Sequence, residues 1–231
     1  MAAKLTYLEP VSSRRTVGDM VYLKLRDALT VGRFDPDQVL TIGAMSEAFQ
    51  TSHMPVREAM RRLTAEGALS VAASGSVRVP AVNRAHLDDI IEARVMLERR
   101  ATERAVAAIT DDGLRTIRQQ AQAHAAADQS DIHEMLLRNR DFHFAIYRAS
   151  GSDVLPALIE SLWLRYGPYM RLLSDRAAPA GGGHNQYTRG HLTIVEAIGR
   201  GDASAAAQGI EADIRGTQDQ LRRVLDDLTD V

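Results

Sequence analysis

The chain has 231 residues, of which 45% are hydrophobic and 25% are charged, and this composition is typical of one or two folded domains. Cysteine is absent, which excludes disulfides, cysteine nucleophiles and thiolate metal sites. No run approaches the ~18–20 apolar residues of a membrane span and the N-terminus lacks a signal-peptide core, so we expect a cytoplasmic protein without a membrane partner. The net charge is −2, yet residues 1–82 carry 10 basic and 8 acidic side chains.

The first 80 residues predict three helices followed by a hairpin. Apolar residues at helical spacing predict helices over residues 16–31, about 43–49 and 52–66. Ser52 suits the N-cap of the third helix, and Pro55 falls in its first turn, where a missing N–H costs nothing. Two short β-prone runs flank Gly75, which supplies the turn between them. This order predicts a winged helix-turn-helix domain.

The start of the third helix carries the residues that could contact DNA. In a helix-turn-helix, the N-terminal end of the recognition helix meets base edges in the major groove. Ser52, His53 and Arg57 take that place here, and Arg57 can pair with guanine through two hydrogen bonds. Arg61 and Arg62 follow one turn later, where they suit backbone phosphates. A solvated basic helix face would show the same spacing.

Only helices are predicted after Asn83. Their patterns fall at residues 84–108, 111–127, 130–150, 153–174, 185–200 and 202–226. The stretch Ala177–Gly183 predicts a flexible loop. The chain is therefore predicted to be mainly α, with a winged helix-turn-helix domain at residues 1–82. An all-helical bundle of about six helices is predicted at residues 83–231.

Two charged residues lie on the inward stripe of the first bundle helix. Arg94 and Glu98 share a stripe with Leu87, Ile91 and Ala101 at three- and four-residue spacing. Burying a charge needs a partner. The pair is therefore either an internal ion pair, or it includes a guanidinium that holds an anionic effector.

Four further polar residues are predicted to face inward from three helices. Asn139 and His143 are four residues apart on one helix, His191 begins the apolar stripe of another, and Asp213 lies beside apolar residues of the last. Each could be a satisfied core residue, but imidazole, amide and carboxylate groups together also form a metal-ligand set. The other histidines are interpreted as surface or loop residues: His86, His124, His133 and His184.

The N-terminal motif resembles a known family. The run PVREAMRRLTAEGAL, residues 55–69, followed by a glycine-centred wing, resembles the winged helix of GntR-family transcription regulators. The likeness covers residues 15–80 and implies DNA contacts by Ser52, Arg57 and the wing at Gly75. The family usually has arginine at the position of His53. An imidazole is mostly neutral at pH 7, so we expect a different operator and weaker or more pH-dependent DNA binding.

The C-terminal motifs resemble the all-helical FCD ligand-binding domain of FadR-type GntR regulators. They are NRDFHFAIYRASGSDVL, residues 139–155, and GHLTIVEAIGRGDASAA, residues 190–206. The resemblance spans residues 84–225 and implies that Asn139, His143, His191 and Asp213 hold a divalent metal such as zinc, nickel or manganese. Many members have histidine where this chain has Asp213, so we expect weaker metal binding here.

Together these resemblances imply a homodimeric transcription regulator, a repressor by default and not an enzyme. It would bind a pseudo-palindromic operator in double-stranded DNA and respond to a small organic or sugar acid. Two other functions fit the residues. One is a metal-dependent helical-bundle enzyme that uses the four inward polar residues. The other is an architectural DNA binder whose C-terminal domain only dimerises.

Overall fold

The computed structural model describes residues 16–128, 131–177 and 183–229, with side chains described over the same ranges except residues 174–188 and 229. Within these ranges the chain is built from nine helices and one short hairpin. In chain order they are α1 (Val17–Thr30), α2 (Ile42–Ala48), α3 (His53–Ala65), β1 (Ser70–Val71), β2 (Val77–Arg78), α4 (Arg84–Ala108), α5 (Asp111–Ala125), α6 (Ile132–Arg148), α7 (Leu155–Ala177), α8 (Gly183–Gly199) and α9 (Ala203–Thr229).

The N-terminal unit is a winged helix-turn-helix. Helix α1 begins with a capping box, in which Thr16 and Asp19 each bond the backbone of the other. Helices α1 and α3 pack around apolar side chains that are fully buried, including Leu25 and Leu63. Strands β1 and β2 pair antiparallel, and the turn between them is closed at Gly75, whose φ of +82° favours glycine.

The C-terminal unit is an all-helical bundle with its own core. Helix α4 packs along α9, while α5 contacts α6 and α8, and α8 contacts α9. The stripes predicted for these helices are buried as expected: Leu87, Ile91 and Ala101 on α4 are each at most 1% exposed. The predicted fold class, mainly α with a winged helix-turn-helix and a helical bundle, is confirmed.

Helix α7 belongs to both units. Leu164 on α7 is buried in the apolar core formed by α1 and α3, whereas Trp163 is buried in the core of the bundle. At Gly167 the α7 backbone lies against the backbone of Leu29 so closely that a Cβ would overlap the Leu29 carbonyl oxygen. Gly32, at the end of α1, approaches the same helix with a φ of +66°. The winged helix is therefore docked directly on α7.

The predicted helix boundaries agree with the structure to within a few residues. The differences fall at helix ends, where α7 continues to Ala177 and α9 to Thr229. The loop predicted at Ala177–Gly183 lies outside the described residues, apart from its two end residues. No helix in the described part of the chain is long and apolar enough to cross a membrane.

Candidate DNA-binding surface and buried metal centre

The N-terminal end of α3 projects from the winged helix into solvent. Ser52, His53, Arg57 and Arg61 are all exposed, and Met54 between them is 71% exposed. Ser52 occupies the N-cap position, but its side chain makes no capping hydrogen bond, so the helix itself does not use the hydroxyl. The N-cap and exposed side of α3 thus present two guanidinium groups, an imidazole and a hydroxyl to solvent.

Two other residues predicted to contact DNA differ from this group. The Arg62 guanidinium donates to Asp19 at 3.0 Å and lies 3.8 Å from the centre of the Tyr22 ring, so it ties α3 to α1. Its contact with phosphate stays a prediction, and the partly exposed Asp19 carboxylate already balances its charge. Gly75, at the tip of the wing, is exposed with open space around it.

The bundle interior contains a buried arginine–glutamate pair. Arg94 Nε donates to Glu98 Oε1 at 2.7 Å, and both side chains are at most 4% exposed. Trp163 Nε1 donates to the same oxygen at 2.9 Å, while the Tyr147 hydroxyl donates to Oε2. The Arg94 guanidinium lies 4.5 Å from the ring centres of both Trp163 and Tyr166. This geometry is the internal ion pair that the sequence left as one of two alternatives.

A second polar cluster joins three bundle helices. His143 on α6 faces Asp213 on α9, with 3.2 Å between Nε2 and the nearer carboxylate oxygen, and His191 Nε2 on α8 is 3.7 Å from the other oxygen. Burial alone would raise the pKa of Asp213. The hydrogen bond with His143 and the electrostatic effects of His143, His191 and Arg94 outweigh burial and hold that pKa below its ordinary value. Asp213 therefore stays ionised inside the bundle.

This cluster fits a divalent metal. One donor atom each from His143, His191 and Asp213 can be chosen so that all three lie within 4.8 Å of one another. Donors that share one ion at about 2.0–2.2 Å are at most roughly 4.4 Å apart, so small side-chain shifts would bring these three around one ion. Two imidazoles with one carboxylate suit zinc, nickel or manganese and leave positions open. Asn139, the fourth predicted ligand, is half-buried on α6 one turn before His143.

Tyr147 connects the two clusters, and the sequence analysis did not single it out. Its hydroxyl lies 3.0 Å from His143 Nδ1 and also donates to Glu98. The only sequence signal was its four-residue spacing from His143 on the same helix. Burial and the charge of Glu98 raise the pKa of Tyr147 well above its ordinary value, so the phenol stays protonated.

His124 is a correction to the sequence analysis, which placed it at the surface. Its side chain is 3% exposed, and its ring centre lies 4.7 Å from that of His191. The missed signal was its spacing from Ile117 and Ala121, both buried on the same face of α5. His133 is half-buried rather than exposed, and His86 is exposed as predicted, whereas the side chain of His184 lies outside the described residues.

Comparisons with known proteins agree with both halves of the fold. Residues 18–79 match the gntR family of bacterial regulatory proteins, and residues 89–216 match the FCD domain. The HTH-type transcriptional regulator McbR of Escherichia coli K12 is 34% identical over 157 residues, which are 68% of this chain and 71% of McbR. The HTH-type transcriptional repressor GlaR of the same organism is 27% identical over 203 residues, covering 81% of this chain and 87% of GlaR.

Solved structures extend this likeness to three dimensions. E. coli McbR/YncC matches 90% of this chain and 98% of its own, with a TM-score of 0.84 and 27% identity. A GntR regulator from Rhodococcus sp. RHA1 matches 88% of this chain and 96% of its own, with a TM-score of 0.67, and at 19% identity it supports the fold alone. The relatives are regulators, which overturns the enzyme alternative. The chain belongs to the GntR family, carries a C-terminal FCD domain, and is a DNA-binding transcription regulator.

Proposed function

We propose that this regulator acts in the cytoplasm as a homodimeric repressor, with residues 1–82 as the DNA-binding domain and residues 83–231 as the effector-binding and dimerisation domain. The exposed end of α3, with Ser52, His53, Arg57 and Arg61, reads a pseudo-palindromic operator, and the wing at Gly75 contacts the neighbouring backbone. The relative GlaR is described as a repressor, which supports the sign of regulation.

The effector of this proposal is a small organic or sugar acid. The observation that carries it is the buried combination of Arg94 with the His143, His191 and Asp213 cluster, because a bundle that only dimerised would not need these charges inside. His143, His191 and Asp213 hold the metal, with Asn139 as a fourth ligand. A bound divalent ion supplies positive charge and open positions for a carboxylate, and Arg94 supplies a planar second anchor.

A signal can pass from this interior to DNA along α7. Trp163 and Tyr166 of α7 enclose the Arg94 guanidinium, while Leu164 and Gly167 of the same helix contact the winged helix. An effector that binds one position of α7 more tightly shifts the population toward that arrangement of the winged helices. The proposal requires this difference in affinity, because equal binding to both arrangements would shift nothing.

The DNA contact is tested by Arg57→Ala on an operator selected from random duplexes. Loss of a base contact is expected to weaken specific binding by about 1–3 kcal/mol. Arg104→Ala is the matched control, because Arg104 lies on α4 outside the winged helix. Fluorescence anisotropy at constant salt measures both variants. Equal affinity of Arg57→Ala and wild type would remove Arg57 from the interface.

Metal binding is tested by elemental analysis of protein purified without a nickel column or chelator. We expect a bound divalent metal, and thermal stabilisation when zinc, nickel or manganese is added, of about 2.7 kcal/mol at one hundred times the dissociation constant. His143→Ala is expected to abolish both effects. His86→Ala, which removes an exposed histidine, is expected to leave both unchanged. If wild type stays metal-free and its melting temperature does not change with any of the three ions, the cluster is only a polar part of the core.

The anion site is tested by a thermal-shift screen of organic and sugar acids on the metal-loaded protein. Arg94→Lys retains a positive charge beside Glu98 but loses the planar fork, so acids found in the screen are expected to bind at least about tenfold more weakly. Arg99→Lys is the control, since Arg99 lies on the same helix and pairs with Glu211 near the surface. Unchanged binding to Arg94→Lys would restrict Arg94 to its ion pair. No stabilisation by any acid would favour a purely dimerising domain.

A further inference from the structure

Tyr147 lies fully buried between the two polar clusters of the bundle. On one side its hydroxyl contacts Glu98, and on the other it is 3.0 Å from His143 Nδ1. His143 in turn directs its other nitrogen, Nε2, toward Asp213 at 3.2 Å. Glu98, Tyr147, His143 and Asp213 therefore form one continuous chain of hydrogen-bonding contacts across α4, α6 and α9.

The direction of each hydrogen bond in this chain follows from the donors available. A phenol has one hydrogen, and an ionised carboxylate can only accept. Glu98 accepts from Arg94 and Trp163 as well as from Tyr147, which is the pattern of a carboxylate surrounded by donors. The phenol hydrogen therefore goes to Glu98. The phenol oxygen is left as an acceptor toward His143, so the hydrogen between them belongs to His143 Nδ1.

We propose that Tyr147 is the positioning residue of the metal centre: held by Glu98, its oxygen accepts the Nδ1 hydrogen of His143 and turns the Nε2 lone pair toward the metal. This inference rests on the proposed metal binding. A metal-bound imidazole commonly donates its second N–H to a fixed acceptor, which sets its tautomer and its ring orientation. Here that acceptor is a phenol that itself depends on the buried ion pair of Arg94 and Glu98.

The arrangement also links the two parts of the proposed effector site. Arg94, the anion anchor, and His143, the metal ligand, are separated only by Glu98 and Tyr147. An effector carboxylate that draws Arg94 away from Glu98 changes the acceptor on which the phenol depends. Metal binding and effector binding are then coupled through Tyr147. By linkage, the factor by which bound metal changes the effector affinity equals the factor by which bound effector changes the metal affinity.

The test is Tyr147→Phe, which removes the hydroxyl and retains the ring. Zinc affinity, measured by competition with a chromophoric chelator, is expected to fall about 10–100-fold, the usual effect of losing the acceptor behind a ligating histidine. Tyr169→Phe is the matched control, because Tyr169 is a buried tyrosine whose hydroxyl bonds the Asn83 carbonyl away from the centre. It is expected to leave zinc affinity unchanged.

The second readout is the tautomer of His143, from nitrogen-15 spectra of the metal-free protein, with the signal assigned by its loss in His143→Gln. In wild type Nδ1 is expected to carry the hydrogen that the phenol accepts, and in Tyr147→Phe, where this acceptor is gone, Nδ1 is expected to lose that hydrogen while Nε2 keeps its contact with Asp213. A wild-type Nδ1 without hydrogen overturns the proposal, as does an equal loss of zinc affinity in both phenylalanine variants. Wild type that binds no zinc refutes the proposed metal site and this inference with it, whereas zinc binding that Tyr147→Phe does not weaken refutes this inference alone.

Discussion

The interiors of the two units are built on opposite principles. The winged helix has an apolar core: among its described residues, the buried polar side chains are Thr30 and Ser46, and the charged side chains lie at or near the surface. The bundle buries Arg94, Glu98 and three histidines in its centre. Both are small helical units of one chain, so chain length and composition do not explain the difference.

We attribute the contrast to the ligands proposed for the two units, which are DNA outside the winged helix and a metal with a small anion inside the bundle. A DNA-binding surface must present positive charge to phosphates outside the molecule, so its interior can be filled with apolar side chains alone. A site for a small anion or a metal must exclude water, and its charges are therefore placed inside and satisfied by partners. A buried charge is tolerated only while each of its partners is present. We therefore expect the stability of the bundle to fall far more than that of the winged helix when one buried polar group is removed.

The largest expected effect comes from Glu98→Ala. Removal of the carboxylate leaves the buried Arg94 without its counter-charge, which typically costs about 3–5 kcal/mol. Glu103→Ala on the same helix is the control, because Glu103 pairs with Arg100 at the surface, where an ion pair contributes about 0–1 kcal/mol. Urea unfolding followed by circular dichroism measures both. Similar losses in the two variants would contradict the contrast between interior and surface.

A smaller effect is expected at the junction of the two units, from Gly167→Ala. The added Cβ would overlap the Leu29 carbonyl oxygen, so α7 and α1 must separate, at a cost of about 1–3 kcal/mol. Gly216→Ala on α9 is the control. It meets no atom within 4 Å and is expected to stabilise the helix by about 0.4–1 kcal/mol. Calorimetry is expected to show that the winged helix unfolds at a lower temperature in Gly167→Ala, but not in Gly216→Ala.

The smallest expected effect on stability comes from His53→Arg, since the side chain is exposed at the start of α3. The change adds a permanent charge to the proposed DNA-binding surface, so we expect tighter operator binding and, where the new charge meets a phosphate, a steeper dependence on salt. Anisotropy titrations over a range of salt concentrations measure both. An unchanged affinity and salt slope would place residue 53 outside the interface, while the melting temperature serves as the control for folding.

The sequence by itself determined the elements and the direction in which most key side chains face. Apolar spacing located the helices and placed Arg94, Glu98, His143 and His191 on inward stripes, because a helix repeats its faces every three or four residues whatever its neighbours are. The motif PVREAMRRLTAEGAL indicated the DNA-binding helix through its resemblance to the GntR family, which lies in one continuous segment of sequence. Both inferences required only information local to a stretch of sequence.

The tertiary structure alone decided which inward residues meet. Tyr147 bonds Glu98 across 49 positions of sequence, His124 packs on His191 from another helix, and Gly167 touches the backbone of Leu29 in the other unit. Periodicity shows which face of each helix is buried. It does not show how a helix is rotated about its axis relative to a neighbouring helix, or how far it is displaced along that neighbour. Those two quantities are set by how side chains interdigitate between helices, and they determine whether separate polar residues form one site.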